Sequence, residues 1–250
     1  MFNHFTLGTF VFIVSLTIAW HQPASAQMSP SARARAVDLE LILMADGSGS
    51  VNDQEFILRR CGYAKALRDP AIIHAINGGI LGWIALSYVE WSGPDLKVPI
   101  VNWTVIRTKS DKISFAKKLE DHPRELYGGG SAVGDAIVYG AESILGNVYD
   151  GTRRVFDISG DGADWNGMAA IDGRDYVVAR GITISGLPIL AFEGDGLTEF
   201  FRHNVIGGRG AFYIAASGFK DFFRAIHRKL ILEIAGNIPA GPHQTAEGFP

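Results

Sequence analysis

The chain has 250 residues, a formal net charge of −3 and 47% apolar residues. This length fits one α/β domain, and the apolar fraction is sufficient for a hydrophobic core. Lysines and arginines are scattered along the chain, so nothing in the charge pattern points to a nucleic-acid partner. Cys61 is the single cysteine, which excludes an intrachain disulfide, and we expect it to be a small core residue.

The first 26 residues have the layout of a secretory signal peptide. They contain no Asp, Glu, Lys or Arg, and an apolar run from Phe10 to Ala19 precedes the triplet Ala24-Ser25-Ala26. The triplet matches an A-x-A cleavage site, so we expect cleavage after Ala26 and a periplasmic or secreted protein. The run is shorter than the ~20 residues of a spanning helix, so we predict no membrane span in the mature chain. Retention of this segment as an N-terminal anchor is the alternative.

Strand and helix patterns then alternate along the chain. Residues 27–36 are expected to form a flexible lead-in, residues 37–236 the domain, and residues 237–250 a flexible tail. Within the domain, the patterns predict strands at 37–45, 82–91, 98–106, 154–159, 182–191 and 211–215, and helices at 52–67, 109–120, 132–145, 168–180, 197–204 and 219–235.

This alternation predicts an α/β fold with a doubly wound, mostly parallel sheet and helices on both faces. Ser92-Gly93-Pro94-Asp95 is a strong turn signal between the second and third strands. The two strands therefore form a hairpin, which gives the sheet one antiparallel strand.

Three loops of small polar residues lie where strands end or helices begin. The first is the D-x-S-x-S segment Asp46 to Ser50, the second is Gly128-Gly129-Gly130-Ser131, and the third is Ser159-Gly160-Asp161-Gly162. Each loop alone is explained by ordinary turn and cap chemistry. Together they offer only oxygen donors at the sheet edge where such folds bind ligands, and hard cations such as Mg²⁺ take oxygen ligands.

The three loops resemble the metal-ion-dependent adhesion site of von Willebrand factor A (vWA) domains, and the resemblance runs from Val37 to about Ala235. The segments Tyr88-Val89-Glu90-Trp91, Gly181-Ile182-Thr183-Ile184 and Lys229-Leu230-Ile231-Leu232-Glu233-Ile234 resemble a bacterial branch of this superfamily whose function is undescribed. The resemblance implies a vWA/Rossmann-like fold with a bound divalent cation: Mg²⁺, or alternatively Mn²⁺ or Ca²⁺.

The resemblance also implies a role for each site residue. Ser48 and Ser50 would bind the metal through their hydroxyls, while Asp46 would act mainly through water. Ser131 matches the hydroxyl ligand of the second loop, and Asp161 matches the acidic residue of the third, again usually through water. The family more often has Thr at the position of Ser131. Serine keeps the oxygen but lacks the stiff χ1 of a β-branched side chain, which loosens this ligand.

The expected function is an exported, divalent-cation-dependent protein-binding module of the adhesion type. Its ligand would be a protein or peptide that presents an Asp or Glu carboxylate to the cation. A metal-dependent hydrolase is the alternative, because the same cation can polarise a phosphoryl or carbonyl oxygen. The five histidines after the signal segment are dispersed in sequence and supply no general base near the loops, so we expect no enzyme and no catalytic residues. They are His74, His122, His203, His227 and His243.

Other motifs in these loops fit less well. Asn52 stands where a dinucleotide-binding loop needs its third glycine, Asp46 replaces the first glycine of a serine-hydrolase elbow, and Met168 replaces the last glutamate of an EF-hand.

Two residues next to the third loop have two interpretations each. Trp165 lies either on the binding rim or packed beneath the loop. Asp164 is either a helix N-cap, which we favour, or an anion behind the metal.

Overall fold

The computed structural model describes residues 35–164, 166–191, 194–236 and 243–245. Its centre is a seven-stranded sheet with the strand order β3-β2-β1-β4-β5-β6-β7. The strands are β1 (Ala36–Asp46), β2 (Ile84–Trp91), β3 (Lys97–Ile106), β4 (Asp150–Gly160), β5 (Thr183–Pro188), β6 (Tyr213–Ala215) and β7 (His243–Thr245). β2 and β3 pair antiparallel, and the other neighbouring strands are parallel. This confirms the predicted hairpin in a mostly parallel sheet.

Helices cover both faces of the sheet. They are α1 (Asp53–Arg68), α2 (Pro70–Asn77), α3 (Lys109–Asp121), α4 (Val133–Gly146), α5 (Ala170–Val178), α6 (Asp195–Phe200), which continues into a π-helical turn at Phe201–Val205, and α7 (Phe222–Ala235). One hydrophobic core packs α1, α2, α3 and α7 against the sheet, and a second core packs α4, α5 and α6 against the other face. The predicted α/β fold with helices on both faces is confirmed.

The sequence patterns predicted a helix at 52–67 but none at Pro70–Asn77, so α2 was missed. Asp69 ends α1 and caps α2, because its side chain accepts a hydrogen bond of 2.8 Å from the backbone N–H of Ala71. Pro70 then occupies the first turn of α2, where a missing N–H costs nothing. A proline therefore starts a new helix here as well as ending the previous one.

The inner face of α1 differs from the expected one. Cys61 is exposed, and so is Ile57 on the preceding turn. The expectation that Cys61 is a core residue is therefore wrong. The buried face carries the other residues of the predicted apolar pattern together with two arginines: Phe56, Ala64, Leu67, Arg59 and Arg60. Buried charge therefore occupies inner positions that the apolar pattern did not include.

The two ends of the chain are described only in part. Within the segment 237–250, His243–Thr245 pairs in parallel with Tyr213–Ala215 as the edge strand β7. The remainder of that segment and the predicted signal peptide lie outside the described residues. The boundaries at 26, 36 and 236 therefore stay predictions. None of the helices in the described ranges is both long and apolar enough to span a membrane.

Candidate metal centre

The sheet brings the first and third loops to the same edge. β1 and β4 are parallel neighbours with Ala45 opposite Ser159, so Asp46 and Asp161 leave the sheet side by side. The end of β2 lies beside them, because the backbone N–H of Gly47 donates a 2.6 Å hydrogen bond to the carbonyl oxygen of Trp91. Parallel strands that end together therefore gather residues that are far apart in sequence.

Four of the five predicted site residues form one chain of hydrogen bonds. The backbone N–H of Ser48 donates to Oδ1 of Asp46 at 2.7 Å, and the hydroxyl oxygens of Ser48 and Ser50 lie 2.9 Å apart. The Ser50 hydroxyl donates in turn to Oδ1 of Asp161 at 2.8 Å. The first loop is thus connected directly to the third.

The second loop is held at the end of β2 by a serine and lies beside the first loop. The Ser92 hydroxyl, just after β2, contacts the carbonyl oxygens of Gly128 and Gly130 at 2.5 and 3.0 Å. Gly130 has a φ of 75°, a conformation that favours glycine. A Cβ added at Gly49 would lie 3.7 Å from Cα of Gly128. Ser131, the remaining predicted ligand, is buried at the end of this loop but is not part of the hydrogen-bonded chain.

Asp164 connects the third loop to two helices. Its Oδ1 accepts a 2.8 Å hydrogen bond from the backbone N–H of Val133, and its Oδ2 accepts one of 2.5 Å from that of Ala170. It therefore satisfies free N–H groups at the starts of both α4 and α5. This agrees with the capping interpretation. Asp164 also caps a second helix, α4, which follows Ser131. Trp165 lies outside the described residues.

The two carboxylates of the site are buried, and each is incompletely paired. Asp46 is 1% exposed and Asp161 is 2% exposed. Oδ2 of each has no hydrogen-bond partner in the described part of the chain. Burial, and next the charge of Asp161, raises the pKa of Asp46 to about 7. Burial also raises the pKa of Asp161.

These residues fit a bound divalent cation. Two buried carboxylates with unpartnered oxygens repel each other, and a cation between them would relieve both the repulsion and the desolvation. The donors are hydroxyl and carboxylate oxygens, the set that suits Mg²⁺, Mn²⁺ or Ca²⁺. Among the described residues, no three His, Cys, Asp or Glu side chains group closely enough to hold a metal. A metal at this edge would therefore depend on the serine hydroxyls.

A buried ionic cluster behind the first loop was not predicted from the sequence. Arg60 forms two hydrogen bonds to the Glu90 carboxylate, at 2.9 and 3.0 Å, and Nη2 of Arg59 lies 3.5 Å from the same carboxylate. All three side chains are buried. One sequence signal was present: Glu90 is a charged residue within the otherwise uncharged strand Ile84–Trp91.

Solved structures of several vWA proteins are similar to this chain. Proximal thread matrix protein 1 (PTMP1) from the mussel byssus matches with a TM-score of 0.59 and 16% identity, over 80% of this chain and 48% of PTMP1. A PTMP1 structure with a zinc-occupied metal-ion-dependent adhesion site matches with a TM-score of 0.55 and 12% identity, over 79% and 46% of the two chains. The chain thus spans about half the length of PTMP1.

Two bacterial structures match as well. BatB from Bacteroides thetaiotaomicron has a TM-score of 0.51 and 18% identity, over 79% of this chain and 99% of BatB. The von Willebrand factor type A structure from Catenulispora acidiphila has a TM-score of 0.54 and 13% identity, over 80% and 43% of the two chains. At these identities the likeness shows a common fold.

No curated protein matches the sequence. The family model described as "Protein of unknown function (DUF1194)" matches residues 36–238, which is most of the chain. The protein therefore belongs to this family, and its fold is that of a von Willebrand factor A domain.

Proposed function

We propose that the protein is an exported, adhesion-type module that binds another protein through a divalent cation, Mg²⁺ in first place and Mn²⁺ or Ca²⁺ otherwise. One observation carries this proposal. The hydrogen-bonded chain from Asp46 to Asp161 leaves two buried carboxylate oxygens without partners among the described residues. The similar fold of PTMP1 holds zinc in its own adhesion site, which supports a metal at this edge.

Each residue has a distinct part in this proposal. The hydroxyls of Ser48, Ser50 and Ser131 would contact the cation, and Asp46 and Asp161 would hold its water ligands. A bound cation supplies attraction for one more anionic oxygen. Because the direct ligands from the protein are neutral hydroxyls, little of that attraction is cancelled. A partner's Asp or Glu carboxylate is the group that would use it.

Exposed apolar side chains beside the loops support a protein or peptide partner. Leu96, Tyr127 and Met168 are 42%, 69% and 41% exposed. Tyr127 directly precedes the glycine loop, Leu96 packs against Gly129, and the backbone N–H of Met168 donates to Asp135 in the first turn of α4. Apolar groups around a polar centre are typical of protein interaction surfaces.

Hydrolysis would require a general base in addition to the cation. Three histidines have carboxylate partners, and all of these pairs lie outside the three loops: His122 with Glu125, His203 with Glu199 and His227 with Asp69. Their position outside the loops favours binding over turnover, and the experiment below distinguishes the two.

We expect complex formation to depend on the cation. The immobilised mature protein should capture its partner from envelope extract, release it with EDTA and recover it when Mg²⁺ is added. Ser131→Ala should weaken the complex by roughly tenfold or more, because a ligand oxygen is lost. Ser114→Ala, an exposed serine of α3, is the matched control and should bind as the wild type does.

If the partner stays bound to the immobilised protein in EDTA, the adhesion proposal is contradicted. Turnover of phosphate esters or peptides that needs Mg²⁺ and disappears in Asp46→Ala would replace it with the hydrolase.

The mature protein should be found outside the cytoplasm with Gln27 as its first residue. The apolar segment and the Ala24-Ser25-Ala26 site are the reason for this expectation. Cell fractionation followed by N-terminal sequencing measures it. Recovery of an intact Met1 terminus from the cytosol would show that this prediction is wrong.

A further inference from the structure

Arg59 of α1 lies against the end of β2, beside the strand that leads into the first loop of the metal centre. Its side chain is 1% exposed, and its Nη2 lies 3.5 Å from Oε1 of Glu90. The register partner of Glu90 on β1 is Ala45, the residue before Asp46. Burial raises the pKa of both Asp46 and Asp161, and the positive charge of Arg59 opposes that rise in each case.

The two buried arginines of α1 are paired very differently. Arg60 has two hydrogen bonds to Glu90 and further ones to the carbonyl oxygens of His122 and Pro123. In Arg59, the Nε, Nη1 and Nη2 atoms have no hydrogen bond of good geometry within the described residues, and the phenol of Tyr88 is the neutral hydroxyl beside them. A buried guanidinium with unmatched donors costs free energy, so packing alone does not explain its presence.

The charges of the cluster show what Arg59 faces. Glu90 is already neutralised by its two hydrogen bonds with Arg60, which leaves the charge of Arg59 in excess. Asp46 and Asp161, in turn, each have a buried carboxylate oxygen that lacks a partner in the part of the chain that the structure describes. The uncompensated positive charge of Arg59 thus lies near two buried carboxylates, Asp46 and Asp161, that have no positive partner of their own among the described residues.

We propose that Arg59 is the internal counter-cation of the metal centre. When no metal is bound, Arg59 offsets the negative charges of Asp46 and Asp161. When a metal binds and takes over that neutralisation, Arg59 repels it. Arg59 thereby sets the affinity of the site for divalent cations. This inference rests on the proposed function of the loops as a metal centre.

Calorimetry with Mg²⁺ at pH 8 tests the repulsion. Arg59→Met should bind Mg²⁺ about tenfold more tightly than the wild type, because a unit charge near a dication is removed from a buried environment. Arg59→Lys keeps the charge and should remain within about twofold of the wild type. Arg68→Met is the matched control: it removes an arginine of the same helix whose charge is paired with Glu120 at the protein surface, and it should also stay within about twofold.

A second measurement needs no metal. In EDTA, urea unfolding is compared for Arg59→Met in the wild type and in the Asp46→Asn background. Arg59→Met should shift the unfolding equilibrium about fivefold less when Asp46 is already neutral, because the two charges are coupled. A purely structural role for Arg59 would give equal shifts and no gain in Mg²⁺ affinity.

Equal Mg²⁺ affinity in the wild type and Arg59→Met, or an absent coupling, would overturn the inference. A wild-type protein that binds neither Mg²⁺ nor Mn²⁺ would instead overturn the proposed metal centre, while the coupling in EDTA still tests the charge of Arg59. If Arg59→Met does not fold, Arg59→Gln removes the charge but keeps a polar side chain. It should likewise bind Mg²⁺ more tightly and shift unfolding less in the Asp46→Asn background.

Discussion

Asp46→Ala should weaken the binding of Mg²⁺ and Mn²⁺ by about 100-fold, which calorimetry would record as lost binding. Asp46 is buried and accepts a hydrogen bond from the Ser48 backbone, and its Oδ2 has no partner among the described residues. Its replacement removes both the negative charge and the anchor of the first loop. Unchanged metal affinity in this variant would refute the assigned site.

The same substitution should leave the fold intact. Burial and the neighbouring Asp161 raise the pKa of Asp46 from 3.8 to about 7, so the folded state holds a proton that the unfolded chain releases between these two values. In the metal-free protein this group therefore lowers stability as pH rises through that window. In Asp46→Ala, the free energy of unfolding measured with urea in EDTA should therefore fall less between these two pH values than in the wild type. Asp53→Ala, an exposed carboxylate on the first turn of α1, is the control for both measurements.

Lys229→Met should destabilise the protein by about 3–5 kcal/mol, the typical cost of removing one partner from a buried ionic group. Nζ of Lys229 lies 2.6 Å from a carboxylate oxygen of Asp157 on β4 and 2.6 Å from one of Glu233 on α7. All three side chains are buried. Without the lysine, two carboxylates would face each other between the sheet and the last helix.

The loss should depend on pH. Burial, and next the charge of Asp157, raises the pKa of Glu233 from 4.5 to about 8. The folded protein therefore keeps this proton where the unfolded chain has lost it, and wild-type stability falls as pH rises from about 4.5 to about 8. Urea unfolding of Lys229→Met should show a smaller loss at pH 6 than at pH 9, because protonated Glu233 no longer repels Asp157.

The matched control for this prediction is Lys117→Met. Lys117 pairs with Asp121 on α3, but both side chains are exposed, at 69% and 60%. An exposed pair of this kind contributes less than about 1 kcal/mol, so the variant should unfold close to the wild type at both pH values. A loss in Lys229→Met that is no larger than in Lys117→Met would show that the buried ion pair does not stabilise α7 on the sheet.

The sequence determined the order of the elements, except for α2 and β7, and the position of the candidate site. Apolar runs that alternate with helical periodicity led to the sheet with helices on both faces, because each element must bury its apolar side. The first and third loops came together as expected, because they follow parallel strands that turned out to be neighbours. Asp46, Ser48, Ser50 and Asp161 consequently form the hydrogen-bonded chain.

The tertiary structure alone decided which charged residues are inside. Periodicity treats a charged side chain as exposed, so it included Cys61 in the inner face of α1 and left out Arg59 and Arg60. Those arginines are buried because Glu90, 30 residues from Arg60 in the sequence, lies opposite them on β2. Lys229 likewise has Asp157 as its partner on the distant strand β4. A charge becomes favourable in the interior only beside its partner, and the spatial pairing of distant segments is absent from local sequence patterns.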